Sequence, residues 1–227
     1  MKVLVFAPHP DDEVLGCGGT IKKHSNNGDE VYVCIVTSGK PPVFDNEVAV
    51  KNGWPHNLYL ECMAAKKALG VKDYIFLELP CVLLEREPRN EINAKVLSVI
   101  DDIKPDIVYM PHFGDMQKDH LITAEAVMVA VRPKGNHIVR YVYSYETLSE
   151  TEWNIPHSAN SFVANTFIDI ADTLQDKLSA LECYKSQVAS FPNPRSVEAA
   201  EALAKYRGST MGSRAAEAFA LIREYRK

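Results

Sequence analysis

Short apolar runs and segments of helical length alternate along the first two thirds of the chain. KVLVFA (2–7), EVYVCIVTS (30–38), YIFLEL (74–79), DIVYMPH (106–112) and VRYVYSYE (139–146) are rich in Val, Ile, Leu and Tyr. That is the pattern of strands covered on both faces. Between them lie segments expected to be helical at about 12–27, 57–69, 90–103 and 119–132. Gly28 and Gly70 close the first two, where a left-handed stop favours glycine. A Pro/Gly/Asn-bearing loop is expected over 39–56, and a loop with Pro80 and Pro88 precedes the third helix. The alternation predicts right-handed βαβ units and a mostly parallel sheet: an α/β, three-layer, Rossmann-like sandwich. In such folds ligands sit beyond the C-terminal ends of the strands.

The last third changes character. FVANTFIDI (162–170) predicts one more strand. Ala, Leu, Glu and Lys then dominate, which predicts helices at about 171–185, 195–206 and 213–226, with the Pro-rich loop SFPNPRS (190–196) between the first two. No repeat, low-complexity tract or linker interrupts the chain. The expectation is one domain over 1–227 with a helical C-terminal portion.

Composition narrows the partners. The 227 residues suffice for one well-buried core, and 46% hydrophobic with 24% charged residues is an ordinary globular balance. The net charge is −5 and the basic residues form no dense run, so neither nucleic acid nor an anionic membrane surface is expected as a partner. No stretch reaches the roughly 20 apolar residues of a spanning helix, and the first apolar run is too short for a signal peptide. The five cysteines are odd in number and never at C-x-x-C spacing. This argues against a disulfide framework or a Cys-type zinc site and for a cytoplasmic location.

Two polar clusters follow strands. His9-Pro10-Asp11-Asp12-Glu13 packs an imidazole and three carboxylates into the turn after the first strand. Helix capping accounts for one or two acids there. It does not account for the adjacent His, or for three like charges that each raise the cost of ionising the next; a cation would relieve that repulsion. The second cluster, His112 to His120, contains Asp115, Gln117 and Asp119 and follows the DIVYMP strand. If the two strands are neighbours, both clusters face one cleft. Two His and one carboxylate with a fourth position open is a catalytic zinc arrangement. Gly16, Gly18 and Gly19 lie inside the first helix and do not form a G-x-G-x-x-G loop, so no dinucleotide site is expected.

The run Ala7-Pro8-His9-Pro10-Asp11-Asp12-Glu13, followed by Asp115-x-x-x-Asp119-His120, resembles the LmbE/PIG-L family of N-deacetylases. Leu69-Gly70-Val71, the Phe191 to Ser196 segment and Arg207-Gly208 extend the resemblance over most of the chain. It implies a Rossmann-like fold, one zinc ion per chain (another divalent cation being the alternative) and hydrolysis of an acetamide on an N-acetylglucosamine-containing sugar or conjugate. By motif position His9, Asp12 and His120 are the implied ligands, and Asp11 the general base acting on the zinc-activated water. Asp119 is either an imidazole-orienting group or a helix N-cap, and Glu13 reads as a first-turn charge. The family's habit of assembling implies a homo-oligomer.

The chain departs from the family at two positions. Gln117 stands where D-x-H-x-D-H would place a His, so an amide replaces a group that can shuttle a proton. The acid role then falls to Asp11 or His112. Leu58 stands three residues before Glu61 where many members carry an Arg, which leaves Arg195 as a substitute substrate anchor. Two alternatives remain beside the deacetylase: a zinc amidase cutting another amide, such as a thiol conjugate, and a metal-binding pseudoenzyme.

Overall fold

A computed structural model describes residues 1–37, 56–135 and 137–226; the loop expected over 39–56, Trp54 included, lies outside them but for its last residue. Among the described residues seven strands form one sheet: β1 (Lys2–Ala7), β2 (Glu30–Thr37), β3 (Asp73–Leu79), β4 (Ile107–Pro111), β5 (Tyr141–Tyr145), β6 (Thr166–Asp169) and β7 (Ala216–Glu224). Their order is β3-β2-β1-β4-β5-β7-β6, with β1 to β5 parallel and β7 antiparallel to both β5 and β6. The described residues also form six α-helices: α1 (Asp12–Asn26), α2 (His56–Leu69), α3 (Arg89–Ile103), α4 (Lys118–Ala130), α5 (Leu174–Glu182) and α6 (Val197–Ser209). None is long and apolar enough to cross a membrane.

The period-two alternation of β1 feeds two cores. Val3, Val5 and Ala7 pack with α1, α2 and α5 on one side of the sheet. Leu4 and Phe6 pack with α3 and α4 on the other. This makes the three-layer α/β sandwich expected from the sequence.

The C-terminal portion corrects one expectation. The sequence predicts a helix over 213–226, yet Ala216–Glu224 is strand β7, with Phe219 paired to Tyr145 and to Thr166. AEAFALIRE consists mostly of good helix formers, but a vacant lane between β5 and β6 supplies ladder hydrogen bonds that a weak local propensity cannot match. Glu217 on this strand is buried, pairs with Lys177 at 2.6 Å and accepts the N–H groups of Gly19 and Thr20.

The glycines of α1 are explained by this packing. A Cβ on Gly16 would lie 2.2 Å from Tyr145 Cδ2, and one on Gly19 would lie 2.7 Å from Ile170 Cδ1. Tyr145 cannot retreat freely, because its hydroxyl donates to the Phe6 carbonyl at 2.8 Å. Gly16→Ala would gain up to about 1 kcal/mol of helix propensity, but overpacking a core typically costs about 1–3 kcal/mol. A lower urea midpoint with an unchanged slope is the expected outcome. An equal or higher midpoint would show that the close approach carries no cost.

Candidate metal centre

The strand order reverses between β1 and β4: the chain runs outward to β2 and β3 on one side and to β4 and β5 on the other. The two polar clusters follow these two neighbouring strands, so both open into the crevice at the switch point. The turn after β1 is set by Asp11, whose φ of 110° is unusual for a residue with a side chain. Its carboxylate makes no capping bond to α1. Asp12 opens the helix and turns its carboxylate back to accept the His9 backbone N–H at 2.8 Å.

Three side chains converge. His9 Nδ1 and His120 Nε2 each lie 3.2 Å from Asp12 Oδ2, and one ligand atom from each residue falls within 4.8 Å of the other two. The outer ring nitrogens are held by carboxylates: His9 Nε2 by Asp119 Oδ2 at 3.0 Å, and His120 Nδ1 by Asp115 Oδ2 at 2.8 Å. Those carboxylates are fixed in turn. Asp119 accepts the backbone N–H groups of Val82 (2.6 Å) and Leu84 (3.3 Å), and Asp115 accepts the Thr151 hydroxyl at 2.6 Å. Gln117, not Asp119, is the N-cap residue of α4.

Two of the inward atoms lack a hydrogen bond. Asp12 Oδ1 and His120 Nε2 are buried without a hydrogen bond. Buried polar atoms are rarely left so, and this pair lies where two imidazoles and a carboxylate meet. An N/O donor set with each outer N–H tied to a carboxylate fits a divalent cation such as zinc. Burial works against charging His120, yet Asp12 and Asp115 push its pKa up to about 10. Burial likewise opposes charging His9, but hydrogen bonds to Asp119 and Asp12 hold it well above the imidazole range. Asp12 is depressed, because the two imidazoles outweigh the cost of burying its charge.

Asp11 sits beside this cluster. Both its carboxylate oxygens are buried without a hydrogen bond. Burial, then the charge of Asp12, raises its pKa well above the carboxylate range, against the pull of Arg195. Arg195 comes from the loop before α6: its Nη1 lies 3.6 Å from Asp11, its Nη2 3.6 Å from Glu150, and its Nε donates to Ser149 at 2.7 Å. Glu150 accepts the Gln117 backbone N–H at 3.1 Å. Val82, Met116, Gln117, Asp119, Glu150 and Trp153 line a cleft of about 340 Å³ here. The Gln117 amide oxygen is buried and unpartnered; exchanging the two ends of that amide would put an N–H₂ donor at the same point.

Other candidates go elsewhere. His112 Nε2 bonds to the Asn160 carbonyl at 3.0 Å, and its ring packs on Phe113 and Phe162. Glu61 accepts the backbone N–H and hydroxyl of Ser186, while Leu58 is buried. His24 bridges Asp29 and Tyr109. Glu13 is in the first turn of α1 but fully buried: the hydroxyls of Tyr74 and Tyr184 and the Asp11 backbone N–H all donate to it. Burial nevertheless pushes its pKa up to about 7. Sequence reasoning passed over Glu150 and Cys81. Glu150 had one available signal, its position after the C-terminal end of β5; Cys81 had a matching one after β3.

A family profile described as PIG-L, GlcNAc-PI de-N-acetylase, matches residues 4–131. The chain is 31% identical to the diacetylchitobiose deacetylase of Thermococcus kodakarensis, over 82% of this chain and 70% of that protein. It is 29% identical to a probable N-acetyl-alpha-D-glucosaminyl L-malate deacetylase 2 of Bacillus cereus, over 83% of this chain and 84% of that one. The solved structure of the conserved protein TT1542 from Thermus thermophilus superposes with a TM-score of 0.78 at 26% identity, covering 99% of this chain and 96% of the other.

Proposed function

The chain belongs to the PIG-L family, and on that premise we propose that it is a zinc-dependent hydrolase that removes the acetyl group from an N-acetylglucosamine-containing sugar or conjugate. One cation per chain would be held by His9, Asp12 and His120. The observation that carries this reading is the pairing of buried atoms without a hydrogen bond on Asp12 and His120 with a buried Asp11 carboxylate, one residue away, that accepts no hydrogen bond and has only the Arg195 guanidinium beside it. The names of the relatives, acting on diacetylchitobiose and on an N-acetylglucosaminyl malate, support the acetamido sugar.

A divalent cation bound there supplies Lewis acidity towards the amide carbonyl and lowers the pKa of water towards about 7. The remaining steps fall to the chain. Asp11 takes a proton from the attacking water as its oxygen bonds to the carbonyl carbon. It then returns that proton to the departing nitrogen as the C–N bond breaks, giving acetate and a free amine. Arg195 keeps the Asp11 carboxylate oriented and opposes its protonation between turnovers. Gln117 donates from its amide to the oxygen on which negative charge develops. Asp115 and Asp119 fix the ring orientation of the two imidazoles.

Release of free amine and of the matching acid from a panel containing N-acetylglucosamine, its disaccharide, an N-acetylglucosaminide conjugate and an amide of a thiol conjugate tests the reading. Equal amounts of acetate and free amine from the sugars are expected. Turnover of the thiol conjugate alone would favour the other amidase, and none by metal-replete protein would favour the pseudoenzyme. Gln117→Ala should lower kcat while leaving metal content unchanged, since a well-placed oxyanion donor contributes roughly 3–4 kcal/mol. Unchanged kinetics in that variant would remove Gln117 from the mechanism.

A further inference from the structure

A second set of ligand atoms lies on the far side of the His9 ring. His9, Cys81 and Asp119 also bring one nitrogen, sulfur and oxygen within 4.8 Å of one another, all three residues being buried. A tetrahedral cation with bonds of about 2.0–2.3 Å sets its ligands roughly 3.5 Å apart, so a shift of about an ångström closes the set. His9 is common to both sets but offers different atoms: Nδ1 faces Asp12, and Nε2 faces Asp119. The turn that carries Cys81 is anchored on Asp119. Val82, β-branched, sits at φ 62°, and its backbone N–H donates to Asp119 Oδ2 at 2.6 Å. Val82 and Asp119 also line the open cleft, which gives a cation a route in.

We propose that Cys81, His9 and Asp119 form a second, inhibitory site for thiophilic divalent cations, back to back with the first. A thiolate in the set favours cadmium or surplus zinc over harder cations. The two sites compete through the tautomer of one ring. With the proton on Nε2 and donated to Asp119, Nδ1 has its lone pair free for the first site. In the inhibited form the first cation leaves Nδ1, and the proton that the second cation displaces from Nε2 passes through solvent to Nδ1, which then cannot ligate. The Cys81 thiol releases its proton as the sulfur–metal bond forms. Occupation of the second site therefore removes His9 from the first and stops turnover. The inhibitory consequence rests on the proposed first site and its hydrolase activity; sulfur ligation by Cys81 does not.

The test adds cadmium to full-length protein loaded with one zinc per chain. Ultraviolet cadmium–thiolate absorption should grow to the level of one thiolate per chain as acetate release falls. X-ray absorption at the cadmium edge should show one sulfur among nitrogen and oxygen scatterers. Cys81→Ser should lack the band, and its half-inhibiting cadmium concentration, compared with its own uninhibited rate, should rise more than about tenfold, the scale of losing even an outer-shell partner. An undiminished band in Cys81→Ser, or a cadmium ion with no sulfur neighbour in the wild type, would overturn the proposal. Should the variant fail to fold, the cadmium-edge spectrum and the protection of Cys81 from alkylation in the wild type still decide. Sulfur ligation in a protein that releases no acetate would keep the second site and reject the hydrolase.

Discussion

His120→Ala is expected to give a folded protein that no longer retains a stoichiometric divalent cation. The imidazole supplies one of three candidate ligands, and Asp12 with His9 alone would leave half the coordination sphere to solvent. The structural cost is real but bounded. His120 lies between Asp12 and Asp115, so its loss leaves two buried carboxylates facing a gap. Removing one member of a buried ion pair costs about 3–5 kcal/mol. That is less than the roughly 5–15 kcal/mol by which domains of this kind are stable, and Asp115 keeps its bond from Thr151. Circular dichroism should therefore show a folded chain with a lower midpoint, while atomic emission shows metal far below one per chain and acetate release falls by more than about 100-fold. A variant that purifies with one tightly held cation would show that the ligands lie elsewhere.

Asp11→Asn has the opposite signature: metal retained and turnover lost. Asp11 is next to a proposed ligand, yet its own oxygens stand outside the cluster formed by His9, Asp12 and His120. The amide is nearly isosteric and removes one of three crowded negative charges, so the fold should tolerate it. Arg195 then faces a neutral group at 3.6 Å but keeps Glu150 and Ser149. What the amide cannot do is accept a proton from water, and general base assistance typically contributes about 10²–10⁴-fold. Metal-replete Asp11→Asn should lose turnover by that range. Near-normal turnover would assign the base elsewhere, with Glu150 next in line by position.

The parallel half of the fold was legible because its strands are covered on both faces and read as continuous apolar runs. The meeting of His9, Asp12 and His120 was legible for a related reason: both clusters follow strands, and β1 and β4 are neighbours at the point where the sheet order reverses. Strand β7 was not legible. Its sequence is that of a helix, and its conformation is decided by partners in β5 and β6 and by Lys177, which gives Glu217 a buried counter-ion. Loop contributors were hidden for a different reason. Glu150 and Cys81 approach the centre from two separate loops, and no local pattern marks a residue whose partners are distant in the sequence; Arg195 was legible only as a candidate substrate anchor, not as a neighbour of Asp11. Glu13 shows the limit of a local reading: it occupies the first-turn position of an exposed charge, and only Tyr74 and Tyr184, from distant segments, reveal a buried carboxyl.

The central claim is that a single cation held by His9, Asp12 and His120 makes this chain a deacetylase. The most direct measurement follows acetate release from the N-acetylglucosamine disaccharide by one sample at three stages: metal-replete, stripped by chelator, and resupplied with one equivalent of zinc. The account predicts turnover, its loss, and its return in proportion to bound zinc. Acetate release that persists undiminished after the cation is gone, or that never appears with one zinc per chain, would contradict it.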